Sequence, residues 1–277
     1  MMEPERCPGA ELAGTMMIDS TARIHPSARL GRNVKVGAYT VIGANAVIGD
    51  GTDLRSHVTI GPNTTIGRNN TIHPYASVGG DPQDLSWHGE ETYLVMGDRN
   101  VVRENVTINR GTSKGDGFTR IGNGNLIMAC AHVAHDCLLG DHIVMANNVL
   151  LAGHVIIEDR AILNGASAVH QFTTIGHLAY VGGLTRIVQD VPPYMIVEGN
   201  PSKVRKVNIV GLQRLGFDDD RIRALKNAYR TIFRSRQPRA EVISQLEQAG
   251  NVTPEVLELI EFLRRTDRGR HGRGRNV

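Results

Sequence analysis

The sequence predicts a left-handed parallel β-helix, a triangular prism of about eight coils, followed by a small C-terminal α-helical domain. Three observations carry this. Aliphatic residues recur at every sixth position over most of the chain. Gly is abundant, 31 of 277 residues, against about 7% in ordinary domains. Aromatic residues make up only 4%, so the core cannot rest on large rings.

Residues 1–16 lack the repeat and read as an N-terminal extension without fixed structure. Met17–Asp19 opens the first coil. Every sixth residue from Ile24 to Val78 is aliphatic: Ile24, Leu30, Val36, Ile42, Ile48, Leu54, Ile60, Ile66, Ile72 and Val78. Met96, Val102 and Ile108 keep the step, and from Ile121 to Ile187 twelve consecutive positions keep it again. A period of six fits neither a helix nor a plain strand. It fits a solenoid in which each hexapeptide forms one side of a triangular coil. The aliphatic side chain points inward, and the Gly that follows it at 31, 37, 43, 49, 61, 67 and 79 helps to turn the corner. Three sides make a coil of 18 residues, so residues 17–205 form the prism.

Two segments break the period, 80–94 and 111–119. Both are polar and Gly-rich and must project as loops. The first reads as functional, as long loops on rigid scaffolds usually are. The second reads as a tolerated insertion.

After Pro192-Pro193 the pattern becomes helical, and 206–265 reads as the helical domain. Asp218 to Ser235 spaces Ile222, Leu225, Tyr229, Ile232 and Phe233 along one helix face, with Asp218 as N-cap. Ala240 to Gln248 follows, closed by Gly250. Thr253-Pro254 supplies the cap and first position of a last helix. Residues 264–277 carry six Arg and one Asp, so the net charge of +3 reflects this end and the remainder is net −2. The body is therefore no basic nucleic-acid binder, and 266–277 reads as a solvated, disordered basic tail. No apolar run is long enough for a transmembrane helix, and no secretory signal is visible. The three cysteines, Cys7, Cys130 and Cys137, match neither a disulfide framework nor a zinc knuckle. A cytoplasmic location follows as the expectation.

Chemistry concentrates in the last coils. His132, His135, His154 and His170 fall along one edge of the prism by coil arithmetic, and none takes an inward position. A His suits general-base work on an alcohol. Gly153 stacks one coil beyond His135, and its backbone N–H is a candidate donor to an oxyanion. Asp136 is a candidate to orient His135, although consecutive residues often point apart. No G-x-S-x-G and no convincing cysteine nucleophile occurs, and no closed zinc site matches the spacings. No metal is assigned. A three-His site between subunits, as in carbonic anhydrases of this fold, is the metal alternative.

With these residues in view, the chain resembles the UDP-N-acetylglucosamine acyltransferases that begin lipid A synthesis. The resemblance runs from about Met17 to Arg265. It is carried by QDL at 83–85, GDRN at 97–100, TINRGT at 107–112, AHVAHDC at 131–137, ANN at 146–148, LAGHV at 151–155, AVHQF at 168–172 and QDVPPY at 189–194. It implies a homotrimer with sites between neighbouring prisms. It implies transfer of a 3-hydroxyacyl chain from the phosphopantetheine of acyl carrier protein to the sugar 3-hydroxyl, with no permanent cofactor. His135 is then the general base and Gly153 the oxyanion donor. His132, His154, His170 and Gln171 surround the sugar and acyl chain. Gln83 and Asp84 reach a neighbouring subunit's ligand, Asn208 and Arg214 lie on the nucleotide side, and Gly183 bears on acyl length. Ser86, Asn109, Val210 and Leu215 depart from the family's usual residues near the nucleotide-sugar end. A 3-amino sugar acceptor and an acetyl-CoA-dependent hexapeptide acetyltransferase are the alternatives.

Overall fold

In the computed structural model, which describes residues 17–248, 250 and 252–275, the hexapeptides form three parallel sheets, one on each prism face. The first face starts with Met17–Ile18 pairing Lys35–Val36, the second with Arg23–Ile24 pairing Val41–Ile42, the third with Arg29–Leu30 pairing Val47–Ile48. The first and second faces each carry nine rungs of the left-handed helix and the third carries eight, slightly more than the sequence count of coils. The extension assigned to residues 1–16 lies outside the described residues.

The aliphatic ladder is the core. From Val36 to Ile187 the sixth-residue positions are buried, while Ile24 and Leu30 at the open end are only partly covered. A second inward ladder, two residues earlier in each hexapeptide, holds smaller residues such as Val34, Thr40, Ala46, Thr52 and Val58, all at 0% exposure. Cys137 belongs to this second ladder, and burial pushes its thiol up to about 12.

The glycines act differently from expectation. The left-handed corner residue lies two positions further on, at Asn33, Tyr39, Asn45, Gly51, His57, Asn63 and Asn69. The earlier Gly is needed because the next coil passes too close for a side chain. A Cβ on Gly37 would sit 2.6 Å from the backbone nitrogen of Ser56.

Both interruptions leave the second face and return to the third. Ser77–Gly80 leads into the first and Tyr93–Met96 resumes; Thr107–Asn109 leads into the second and Phe118–Ile121 resumes. Their ends stay in the sheet, with Tyr93 paired to Phe118. The projecting parts are therefore shorter than predicted. Both stand over the corner between second and third faces.

The prism closes with an antiparallel hairpin, Met195–Glu198 against Lys203–Val207. Four helices follow: α1 (Ile209–Arg214), α2 (Asp219–Arg234), α3 (Arg239–Gln248) and α4 (Pro254–Arg268). The Asp218 side chain caps α2 by accepting from Arg221 N–H. Thr253 precedes Pro254 at the start of α4 without a side-chain cap bond. The helices pack their apolar faces on Leu178, Tyr194 and Met195 through Leu212, Leu225, Leu259 and Leu263.

The tail departs from the disordered, solvated end expected of its composition. α4 runs three residues past 265, and 269–275 folds back onto the prism. Asp190 N–H donates to the Gly272 carbonyl at 2.7 Å, and Gly274 N–H donates to the Asp190 carboxylate at 2.7 Å. Arg273 is buried, 8% exposed. The physical reason is local: glycines at 269, 272 and 274 allow close approach, and a buried carboxylate needs donors.

Candidate active site

The corner between second and third faces gathers the chemistry. Residues 135, 153 and 171 stack there, as do 136, 154 and 172, each of the latter in the left-handed conformation that turns the corner. This turn swings Asp136 back toward its neighbour. The His135 Nδ1 lies 2.7 Å from Asp136 Oδ2, and His154 Nε2 lies 3.5 Å from the same oxygen. The side chains of His135 and Asp136 are 13% and 4% exposed, so the pair is screened from bulk water. The two consecutive residues therefore meet, although consecutive residues often point apart.

Asp136 is itself held by the second loop. Thr112 donates its N–H to Oδ1 at 2.8 Å and its hydroxyl to Oδ2 at 2.6 Å. Burial pushes this carboxyl up, but the bonds from His135 and Thr112 together outweigh burial and hold it below its ordinary value. The loop read as a tolerated insertion thus supports the site. Thr112 was visible only as part of the TINRGT motif.

Gly153 stands against the imidazole. A Cβ there would lie 2.7 Å from His135 Nε2 and 2.5 Å from Cε1. Gly153 is buried, and among the described residues no acceptor takes its N–H. A carboxylate on Nδ1, a free Nε2 and an unpaired N–H beside it suit proton removal from an alcohol together with stabilisation of an oxyanion.

His132 and His154 flank this pair. Burial lowers both below the ordinary histidine value, His132 further through the charge of His135; Asp136 opposes the shift at His154. His132 Nδ1 is 2.7 Å from Thr107 Oγ1. The His154 ring stacks on Phe172, centroids 4.6 Å apart. His170 and the exposed Gln171 continue the column, with His170 Nδ1 3.1 Å from an Arg273 guanidinium nitrogen. Among the described residues, His135, Asp136 and His154 form the one cluster with ligand atoms close enough to share a metal ion.

The first loop lies over the same corner within one chain. Backbone and hydroxyl bonds from Ser86 hold Asp84 at about 2, with Lys114 at 3.3 Å adding to them. The charge of Asp84 reaches His154. Gln83 is exposed, and Leu85 at the loop tip is fully exposed. Asn109 donates to the Asp81 carbonyl at 2.7 Å and so braces this loop.

Other candidates lie apart. Asn208 is buried, 5% exposed, and caps α1 by accepting from Gly211 N–H while donating to the Leu178 carbonyl. These two bonds fix the side chain at the start of α1 and leave one amide hydrogen without a partner among the described residues. Arg214 ends α1 and is exposed, as are Val210 and Leu215. Gly183 sits at the corner between first and second faces. A single chain does not bring Gly183, Asn208 or Arg214 to His135.

Known proteins resemble the chain along its length. Residues 190–271 match the family described as Udp N-acetylglucosamine O-acyltransferase, domain 2, and residues 27–62 match the bacterial transferase hexapeptide repeats. A curated acyl-[acyl-carrier-protein]–UDP-N-acetylglucosamine O-acyltransferase from Anaeromyxobacter is 48% identical over 72% of this chain and 77% of its own length. Its counterpart from Synechocystis is 47% identical over 73% of each. Crystal structures of UDP-N-acetylglucosamine acyltransferases superpose closely. The Bacteroides fragilis protein gives a TM-score of 0.88 at 40% identity, covering 90% of this chain and 97% of its own. The Arabidopsis protein gives 0.85 at 36% identity, covering 94% and 99%.

Proposed function

Since the chain belongs to the acyl-[acyl-carrier-protein]–UDP-N-acetylglucosamine O-acyltransferase family, we propose that His135 is the general base of that transfer and Gly153 its oxyanion donor. The protein is an acyltransferase that moves an acyl chain from acyl carrier protein to UDP-N-acetylglucosamine, the first step of lipid A synthesis. The donor is a 3-hydroxyacyl thioester on phosphopantetheine, and the acceptor is the sugar 3-hydroxyl. The observation that carries the assignment is the bond between His135 Nδ1 and Asp136, which leaves Nε2 free of this partner and beside Gly153.

The steps follow from the geometry. Asp136 accepts from Nδ1–H and fixes the tautomer. Nε2 takes the proton from the 3-hydroxyl as the oxygen attacks the thioester carbon. The carbonyl oxygen gains negative charge and meets the Gly153 N–H. The carbon–sulfur bond breaks, and the imidazolium returns its proton to the departing thiolate. The carboxylate of Asp136 stabilises the imidazolium between these steps. His132, His154, His170 and Gln171 contact the sugar and acyl chain, and Gln83 and Asp84 cover them. Arg214 serves the diphosphate as a guanidinium suited to phosphate oxygens.

The working unit is a homotrimer in the cytoplasm. Two corners of one face carry the base and Gly183 separately, so a neighbour must complete the site. Leu85 and Leu184, 102% and 80% exposed, supply apolar surface for that neighbour. No helix among the described residues is long and apolar enough to cross a membrane.

Mass spectrometry of the product from UDP-N-acetylglucosamine and a panel of 3-hydroxyacyl carrier proteins tests the reading. An O-acylated sugar nucleotide is expected, and His135→Ala should lower kcat by about 10²–10⁴-fold. Turnover with acetyl-CoA alone, or selective use of a 3-amino sugar nucleotide, would overturn the substrate assignment. More than half of wild-type kcat in His135→Ala would remove His135 from this role.

A further inference from the structure

The C-terminal segment does more than cover the prism. Beyond the cap of α4, residues 270–273 form a tight turn in which Arg273 N–H donates to the Arg270 carbonyl at 3.0 Å. The turn is pinned by Asp190, whose Oδ2 accepts from Gly274 N–H at 2.7 Å and from the Thr266 hydroxyl at 3.2 Å, while Oδ1 accepts from Thr174 N–H at 2.8 Å. This clamp leaves Arg273 little choice of direction. Its NH1 reaches His170 Nδ1 and the Val188 carbonyl, each at 3.1 Å. Two residues on, Arg275 NH1 donates to the His154 carbonyl at 2.6 Å. Two tail arginines thus touch the residues that continue the His135 column.

A guanidinium has donors only, and an imidazole nitrogen can receive one only as an unprotonated lone pair. The Arg273 bond is therefore made with neutral His170 carrying its proton on Nε2. A competing arrangement exists in the same place. His170 Nδ1 also lies 3.1 Å from the Gln171 carbonyl, an acceptor that requires the proton on Nδ1. The imidazole has a local partner for either tautomer, and the tail supplies the one that selects between them. We propose that Arg273 is a positioning residue for acyl transfer: carried in by the Asp190 clamp, it holds His170 as the Nε2–H tautomer, so that His170 offers substrate a donor. This rests on the assignment of His170 to the substrate-contacting column.

Histidine-selective ¹⁵N labelling of the full chain, read by long-range nitrogen–proton correlation NMR, tests it. A His170→Gln variant identifies the His170 signals. Wild-type His170 should show an unprotonated Nδ1 and a protonated Nε2. Arg273→Met should move the proton toward Nδ1, and Arg273→Lys, which keeps a donor, should restore the wild-type pattern. In turnover, Arg273→Met should raise the KM for the sugar nucleotide about two- to tenfold, the equivalent of one neutral hydrogen bond, with kcat much less affected. A wild-type His170 protonated on Nδ1 overturns the proposal without any variant. So does Arg273→Met with the wild-type tautomer. The NMR readout needs no substrate, so failure of the acyltransferase assignment would show separately, as absent turnover in a wild-type protein with the expected tautomer.

Discussion

Gly153 illustrates what a single residue contributes at the site. Its backbone lies outside the left-handed region, so alanine meets no conformational penalty there. The obstacle is the imidazole of His135, which a new methyl group would meet at 2.5–2.7 Å. Gly153→Ala keeps the N–H but displaces the base. We expect kcat to fall by about the 10²–10⁴-fold a general base contributes, with thermal stability close to wild type. Retained activity would mean that the imidazole has another productive position. The flanking histidines make a second residue-scale prediction. Burial holds His132 and His154 below the ordinary value of 6.5, so the unfolded chain takes up protons at a higher pH than the folded one. Stability therefore rises as pH increases to about 6.5 and falls as pH drops below it toward the folded-state values. A His132→Gln/His154→Gln variant should lose part of the decline in melting temperature between about pH 7.5 and pH 5.5. An unchanged decline would place its origin elsewhere.

At the scale of elements, the period of six made the prism legible because one buried aliphatic residue per side is all a short strand needs. The second inward ladder was not legible, because Val, Thr, Ala, Asn and Cys share small size and no common polarity. Within it, three asparagines form a hydrogen-bonded stack. Asn70 Oδ1 accepts from Asn100 N–H at 2.8 Å, Asn100 Oδ1 from Asn125 N–H at 2.9 Å, and Asn125 Oδ1 from Ile143 N–H at 2.7 Å. Their amide groups donate to the carbonyls of Gly97, Gly122 and Gly140. Asn100→Leu would strand the buried Asn125 N–H and unpair the half-buried Gly122 carbonyl. We expect a loss of about 1–3 kcal/mol in chemical denaturation, chiefly from the one buried group left without a partner. A neutral result would show that the stack is dispensable. The column of His135, Gly153 and His154 was legible from coil arithmetic, whereas Thr112, Asp190 and Arg273 act across gaps in sequence that no period links. The tail's charge suggested solvent, and the buried carboxylate that receives it gave no local signal.

At the scale of the molecule, the base and the residue expected to bear on acyl length occupy different edges of the second face. Light scattering should therefore give three times the 30.2 kDa chain mass without substrate. Within such an assembly, we expect the edge carrying Gly183 to lie beside a neighbour's His135. The edge is not lined by small residues throughout. Gly183 stacks on Gly165, but Leu184 stacks on Ala166 and is largely exposed. We expect a groove for the acyl chain to be open at Gly183 itself and bounded by Leu184. Only the Gly165 carbonyl, at 3.3 Å, and Asn164 Cβ, at 4.0 Å, approach a Cβ placed on Gly183, so a larger side chain needs the carbonyl to give by only a few tenths of an ångström. Gly183→Met should then obstruct long donors selectively. Four methylenes kept in water at about 0.8 kcal/mol each weaken the long donor by roughly 3 kcal/mol, more than a hundredfold in relative kcat/KM. Competition between short and long 3-hydroxyacyl carrier proteins on wild type and variant reads this ratio directly. An unchanged ratio in a variant that remains trimeric would place the end of the groove away from Gly183, with Tyr180, half-buried on the adjoining first face, the next side chain to replace.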